Sequence, residues 1–321
     1  MAHIQHPFHF DPGYGYTLER LLAVQPPSPP ENFAEFWQNR YQKILSLHPY
    51  FNMGQCGSHA GFKIFDIQYR STDHFDIGGW LLEPEHQAIR QCIVVGHGYG
   101  GRDQPDYHFN IPETAFLFPC FRGLSRSRSP RLSEQPHFHV LHDIDDPHRY
   151  VLGGCVEDLW LGVSLMQELY PRAADKVGYM GISFGGGIGA LAIPWDKRIR
   201  RAHLNVPTFG CQLLRLSLPT IGSGAAVTGY VQKRGHIPAT LAYYDAAIAA
   251  TFAAQPIHIA AALFDPMVAP PGQFAVYNAW AGPKSLFVLD AGHFEYPRQE
   301  QQNQQLLWCL QAFFGDWSSQ L

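Results

Sequence analysis

The sequence predicts an α/β protein: a mainly parallel central sheet flanked by helices, with an N-terminal arm and a cap-like insertion. Three observations carry this. Short apolar runs alternate with longer stretches of helical period, the signature of strands joined by crossover helices. One run, Cys92-Ile93-Val94-Val95, is apolar on consecutive positions and ends in Gly96, as a strand buried on both faces does. The chain of 321 residues is 46% hydrophobic with 30 Gly and 25 Pro, which suffices for a large core and excludes disorder or a fibrous repeat.

Residues 1 to 31 are rich in proline and aromatic side chains and close on Pro26-Pro27-Ser28-Pro29-Pro30, which favours an extended arm. Phe33, Phe36, Trp37, Tyr41 and Ile44 then recur at helical spacing, so residues 1–50 read as an arm and a first amphipathic helix. Strands are predicted at Phe62 to Tyr69, Ile77 to Leu82, Cys92 to Val95 and Ala115 to Phe121, and a helix from Tyr150 to Tyr170. Val177 to Met180 is a further strand, followed by a small-residue helix near Gly187 to Ile193 and a strand at Ala202 to Val206. After Pro207 the alternation is lost, and residues 207–240 are expected to form the cap-like insertion over the sheet edge. Regular elements return with a helix near Leu241 to Ala253, a strand Ile257 to Phe264, a helix Gln273 to Ala281, a strand Ser285 to Leu289 and a terminal helix Gln301 to Phe314. No internal repeat or second core pattern appears, so one domain over residues 1–321 is expected.

Charged residues make up 16% of the chain, against roughly a quarter in an ordinary soluble domain. With 23 Lys and Arg against 27 Asp and Glu there is no basic excess to neutralise phosphates, which argues against a nucleic-acid partner. The long uncharged stretch between Asp245 and Asp265 is broken by Gln255, Pro256 and His258, which argues against a membrane span. Met1 to Pro12 has neither a basic start nor an apolar run, so no export signal is read there. Six scattered cysteines without a close pair read as buried, reduced thiols, and the expected location is cytoplasmic.

The chemistry is carried by Gly181-Ile182-Ser183-Phe184-Gly185, a G-x-S-x-G motif directly after one strand and before a Gly-rich helix. A serine held on so tight a turn needs small neighbours, because its backbone is strained and the helix must approach the strand closely. Its hydroxyl is a weak nucleophile without an imidazole base and a carboxylate to fix the imidazole tautomer. Such elbows occur in α/β-hydrolases with the acid and then the histidine following on later loops. Asp265, closing the strand Ile257 to Phe264, and His293, on the loop after Ser285 to Leu289, fit that order. Asp290 is the rival acid, but it stands three residues before His293 on the same strand end; separate loops let Asp265 meet the ring head-on.

Gly96-His97-Gly98-Tyr99-Gly100-Gly101 matches G-x-G-x-x-G, yet Arg102-Asp103-Gln104-Pro105 follows where a dinucleotide loop would open a helix. The loop reads instead as half of an oxyanion hole, with the N–H groups of Tyr99 and Phe184 as the donor pair. His137, His139, His142, Asp143, Asp145, Asp146 and His148 are metal-ligand types on one loop, but their spacing does not fit a metallohydrolase. No metal and no cofactor is expected.

The sequence resembles the acetyl xylan esterase and cephalosporin-C deacetylase family of α/β-hydrolases, carbohydrate esterase family seven, over nearly its full length. The matching residues begin with Leu18 to Tyr41, where Pro-rich residues precede Asn32-Phe33-Ala34-Glu35-Phe36-Trp37, and run through His97-Gly98-Tyr99, Arg122-Gly123, the Ser183 elbow, Tyr244-Asp245 and Asp265 with Pro270-Pro271. They end with Tyr277-Asn278, Ala281-Gly282-Pro283-Lys284 and His293. Two positions depart from it: Leu124 replaces the Gln of an Arg-Gly-Gln motif, and Phe294 the Glu of a His-Glu motif. The resemblance implies a serine esterase that removes acetyl groups from small sugars or similar alcohols, working as a cytoplasmic homo-oligomer, commonly a hexamer. Another serine hydrolase of the same fold, a peptidase or a dienelactone-type enzyme, and a non-catalytic member of the fold are the alternatives.

Overall fold

The computed structural model describes residues 4–317. In chain order the arm carries α1 (Leu18–Leu22) and leads into α2 (Phe33–Leu45), then β1 (Phe51–His59), β2 (Phe62–Arg70), β3 (Asp76–Pro84), β4 (Gln91–Gly96) and β5 (Thr114–Pro119). There follow α3 (Pro136–His139), α4 (Val151–Leu169), β6 (Val177–Ile182), α5 (Phe184–Ala192) and β7 (Ile199–Asn205). Next come α6 (Gln212–Ser217), α7 (Ser223–Arg234), α8 (Thr240–Tyr243) and α9 (Ala246–Ala250). The chain continues with β8 (Ile257–Phe264), α10 (Pro270–Ala279), β9 (Lys284–Ala291) and α11 (Gln299–Gly315).

The strands form a nine-stranded sheet in the order β1-β2-β3-β5-β4-β6-β7-β8-β9. β1, β2, β3 and β5 pair antiparallel, and β5, β4 and β6 to β9 pair parallel. Alternation along each strand divides the core into two layers. Val94, Leu117, Tyr179, Leu204 and Ile259 face a large cluster built on α2, α4, α5 and α9. Ile93, Val95, Phe116, Met180 and Ala260 face the other way, where α11 supplies Leu306, Leu310, Phe313 and Phe314. The 97–113 connection between β4 and β5 has no helix, and this loop and α11 cover the second face beside β4 and β6.

The structure differs from or adds to the sequence reading in four places. No strand is predicted over Phe51–His59, where β1 lies: all but its first residue are exposed and it pairs on one side only, so it carries no apolar alternation. Cys56 lies on that edge strand and is exposed, and Cys309 is half-buried, unlike the other four thiols. Residues 207–240, where the alternation is lost, hold α6 and α7, whose apolar period is masked because α7 buries only Gly224 and Val227. The expected helix from Leu241 to Ala253 is two, since Asp245 interrupts it and caps α9 by accepting from the N–H groups of Ala247 and Ile248.

Candidate active site

Ser183 sits between β6 and α5 with φ +52° and ψ −108°, a conformation that costs a non-glycine residue about 1–3 kcal/mol. Its N–H donates to the Asn205 carbonyl at 2.8 Å, and its own carbonyl accepts from Gly187 and Thr208. The glycines permit this approach. A Cβ on Gly181 would stand 2.5 Å from the Gly185 carbonyl oxygen, and one on Gly185 would stand 2.6 Å from the Gly96 carbonyl carbon. Gly185→Ala is therefore expected to destabilise the fold by about 1–3 kcal/mol through overpacking of backbone on backbone. Urea denaturation checks this; an unchanged midpoint would mean that β4 retreats freely.

The chain of contacts from Ser183 is continuous. Its Oγ lies 2.9 Å from His293 Nε2, and His293 Nδ1 lies 2.7 Å from Asp265 Oδ2. Asp265 is fully buried and its orientation is fixed on every side. Oδ1 accepts from the N–H groups of Met267 and Val268, and Oδ2 accepts in addition from Gln273 Nε2. Gln273 is itself tied to the Val268 carbonyl and the Ala262 N–H. Burial of the His293 ring favours its neutral form, but the charge of Asp265 and its hydrogen bond outweigh this and raise the imidazole above its ordinary value. Asp290 turns the other way, into an ion pair with Arg298 and a contact with Gln302 on α11, and does not touch His293.

The β4 loop closes over the elbow. A Cβ on Gly98 would stand 4.0 Å from that of Ser183, and the Tyr99 ring stacks on that of Phe184 at 4.1 Å. Phe184 opens α5, where the first N–H groups have no carbonyl behind them. Neither its N–H nor that of Tyr99 donates to another group among the described residues.

His97 and His139 fix this loop, and neither role was anticipated. His97 Nε2 accepts from the Phe121 N–H at 3.0 Å, Nδ1 faces the Gly98 carbonyl at 2.7 Å, and the His97 carbonyl receives the Gly185 N–H. His139 Nε2 faces the Arg122 carbonyl at 2.9 Å and so carries the proton, leaving Nδ1 to accept the Tyr99 hydroxyl at 2.9 Å. Burial pushes these imidazoles down to about 3 and about 4, so both stay neutral. The His-rich loop thus spends its one buried histidine on the Tyr99 phenol, and among the described residues no three His, Cys, Asp or Glu side chains converge as metal ligands. Arg122, also buried, binds Asp158 through its backbone N–H, Nε and Nη2 and thereby anchors the segment after β5.

The N-terminal arm reaches the site from the other end of the chain. The Pro12 carbonyl accepts the Asp265 N–H at 2.9 Å, the Tyr14 hydroxyl donates to Pro219, and Phe8 meets Phe294 edge-on at 5.3 Å. Phe294 therefore packs against the arm, while Leu124 is buried in the core. Gln273 and Pro12 carry no local signal; only the three-dimensional arrangement brings them to Asp265.

The family model described as acetyl xylan esterase (AXE1) matches residues 16–312. Among solved structures, the acetyl xylan esterase from Paenibacillus sp. R4 is 22% identical with a TM-score of 0.77, over 92% of this chain and 99% of that one. Acetyl xylan esterase 1 from Thermoanaerobacterium sp. JW/SL YS485 is 18% identical with a TM-score of 0.79, over 94% and 99%. The acylaminoacyl peptidase of Pyrococcus horikoshii shares 15% identity and a TM-score of 0.61, over 81% of this chain and 43% of its own. At these identities the structural likeness speaks for the fold, which is that of the α/β-hydrolases. A comparison with curated protein sequences gave no match.

Proposed function

We propose, for a chain that belongs to the acetyl xylan esterase family, that it is a serine esterase removing acetyl groups from carbohydrates or similar alcohols through an acyl-enzyme. The observation that carries this reading is the unbroken contact from Ser183 Oγ through His293 to buried Asp265. Ser183 Oγ attacks the ester carbonyl while its proton passes to His293 Nε2. The oxyanion that forms accepts from the Phe184 and Tyr99 N–H groups. As the tetrahedral species collapses, His293 returns the proton to the leaving alcohol. Water then enters, gives its proton to His293 and releases acetate, restoring Ser183. Asp265 keeps the ring in the tautomer with a proton on Nδ1 and stabilises the imidazolium.

The acyl side favours small groups. The ring of Phe184, the residue after Ser183, is packed among those of Tyr99, Phe121 and Phe209 and leaves no room for a long chain on its own side. Each further methylene gains about 0.8 kcal/mol of burial only where space exists. Accordingly kcat/KM on p-nitrophenyl esters is expected to be highest for acetyl and to fall steeply by butyryl and octanoyl. A maximum at octanoyl refutes the short-acyl reading, and efficient cleavage of a prolyl peptide would favour the peptidase alternative. Among the described residues no helix is long and apolar enough to cross a membrane. A cytoplasmic homo-oligomer belongs to the same proposal, and sedimentation of the purified chain checks its assembly.

A further inference from the structure

Behind the Ser183 elbow, on the face of the sheet that α11 and the helix-free 97–113 connection cover, lies a cavity of about 440 Å³. That is within the range of small-molecule sites, roughly 300–1,000 Å³. Gly181 and Ile182, the two residues before Ser183, form part of its wall, and so does Asn205, whose carbonyl receives the Ser183 N–H. None of the mechanism above uses it.

Five polar side chains converge on an otherwise mainly apolar lining: Asp106 and His108 from the loop, His203 and Asn205 from β7, and Asn303 from α11. Two of them are built into the sheet, and each keeps a polar atom for which no partner is seen among the described residues. His203 is 3% exposed; its Nδ1 meets the His258 Nδ1 at 3.0 Å and the His258 carbonyl at 3.1 Å, and its Nε2 has no hydrogen bond among the described residues. The Asn205 side-chain amide makes no hydrogen bond among the described residues, with its Oδ1 buried. A buried polar atom without a partner, as Asn205 Oδ1 is, is uncommon and calls for one.

The lining also defines the partner's chemistry. Burial holds His203 and His258 in their neutral forms, and the Asp106 carboxylate is paired with Arg102 at 3.3 Å. No charge is left to receive a charged ligand. A hydroxyl both donates and accepts, so it satisfies either tautomer of His203 and either end of an amide. The Phe109 ring and the aliphatic wall fit the C–H face of a saturated ring.

We propose that this cavity binds the uncharged, hydroxylated ring of the substrate's alcohol portion, a pyranose unit, through His203, Asn205 and Asn303. The choice of a sugar ring rests on the carbohydrate-esterase reading above; the existence of the site does not.

The test uses the full chain carrying Ser183→Ala, titrated with methyl β-D-xylopyranoside by calorimetry. One ring per chain is expected, weakened about tenfold or more by Asn303→Trp, which occupies the mouth from an exposed position, and by His108→Ala. Absence of binding at millimolar concentrations, or binding that neither change affects, overturns the proposal. In the Ser183 enzyme, Asn303→Trp is expected to lower kcat/KM for the monoacetate of that glycoside about tenfold more than for p-nitrophenyl acetate. Equal losses on both esters overturn the proposal, as does a selective loss on octanoyl esters, which would make the cavity an acyl pocket. Should neither ester be hydrolysed, the esterase reading fails while the calorimetry still decides the cavity.

Discussion

Ser183→Ala is expected to lower kcat on p-nitrophenyl acetate by about 10⁶, the scale on which a triad nucleophile acts. The strained backbone at Ser183 holds Oγ against His293 Nε2 at 2.9 Å, and among the described residues no other hydroxyl bonds that nitrogen. A serine-directed organophosphorus reagent should accordingly leave one adduct per chain, on Ser183, and none on the variant. Mass spectrometry that located the adduct elsewhere, or a variant that kept most of its activity, would remove Ser183 as the nucleophile. Circular dichroism separates loss of chemistry from loss of fold, since alanine at a site of positive φ adds little strain beyond that already carried by serine.

The second large effect concerns the acid. Asp265→Asn is expected to cost about 10⁴ in kcat, because an amide at that place stabilises the wrong imidazole tautomer. It also changes the pH profile in a direction that follows from His293. The base must be neutral to take the Ser183 proton, so activity is lost as pH falls through the His293 pKa, which Asp265 raises above the ordinary 6.5. Removing the charge leaves burial, which lowers that pKa. The acid limb of the residual activity should therefore move to lower pH in Asp265→Asn. Asp290→Asn, which breaks only the pair with Arg298 and its link to α11, should leave the limb in place and kcat within a few-fold, as expected for a partly exposed ion pair. The reverse ranking in two folded variants would reassign the acid.

What the sequence discloses about this molecule follows from how local each signal is. β8 is legible from Ile257 to Phe264 at both ends because a buried parallel strand is apolar at nearly every position, here at all but His258. β1 was missed because an exposed edge strand has no such pattern. Ser183 was legible from its glycines, which answer to contacts within a few residues and one neighbouring strand. Asp265 and His293 were legible from order along the chain. The residues that aim them were not: Gln273 reaches Asp265 through a side chain, and His139 reaches Tyr99 across forty positions. His139 in particular stood in a run of histidines whose composition resembled a metal site, and only its burial separates it from its neighbours.

The arm's hold on the acid loop bears on when the enzyme becomes active. Tyr14 and Asp265 are 251 positions apart, while Ser183 depends on contacts made largely by β6, α5 and the adjoining ends of β4 and β7. Closing so long a loop carries an entropic cost that grows only slowly with length, yet contacts of this separation form late because the elements between them must first be in place. The nucleophile's half of the site can thus take shape from the middle of the chain. The half that charges the histidine waits for residues near both ends to meet, so on refolding the return of esterase activity should trail the return of helical signal.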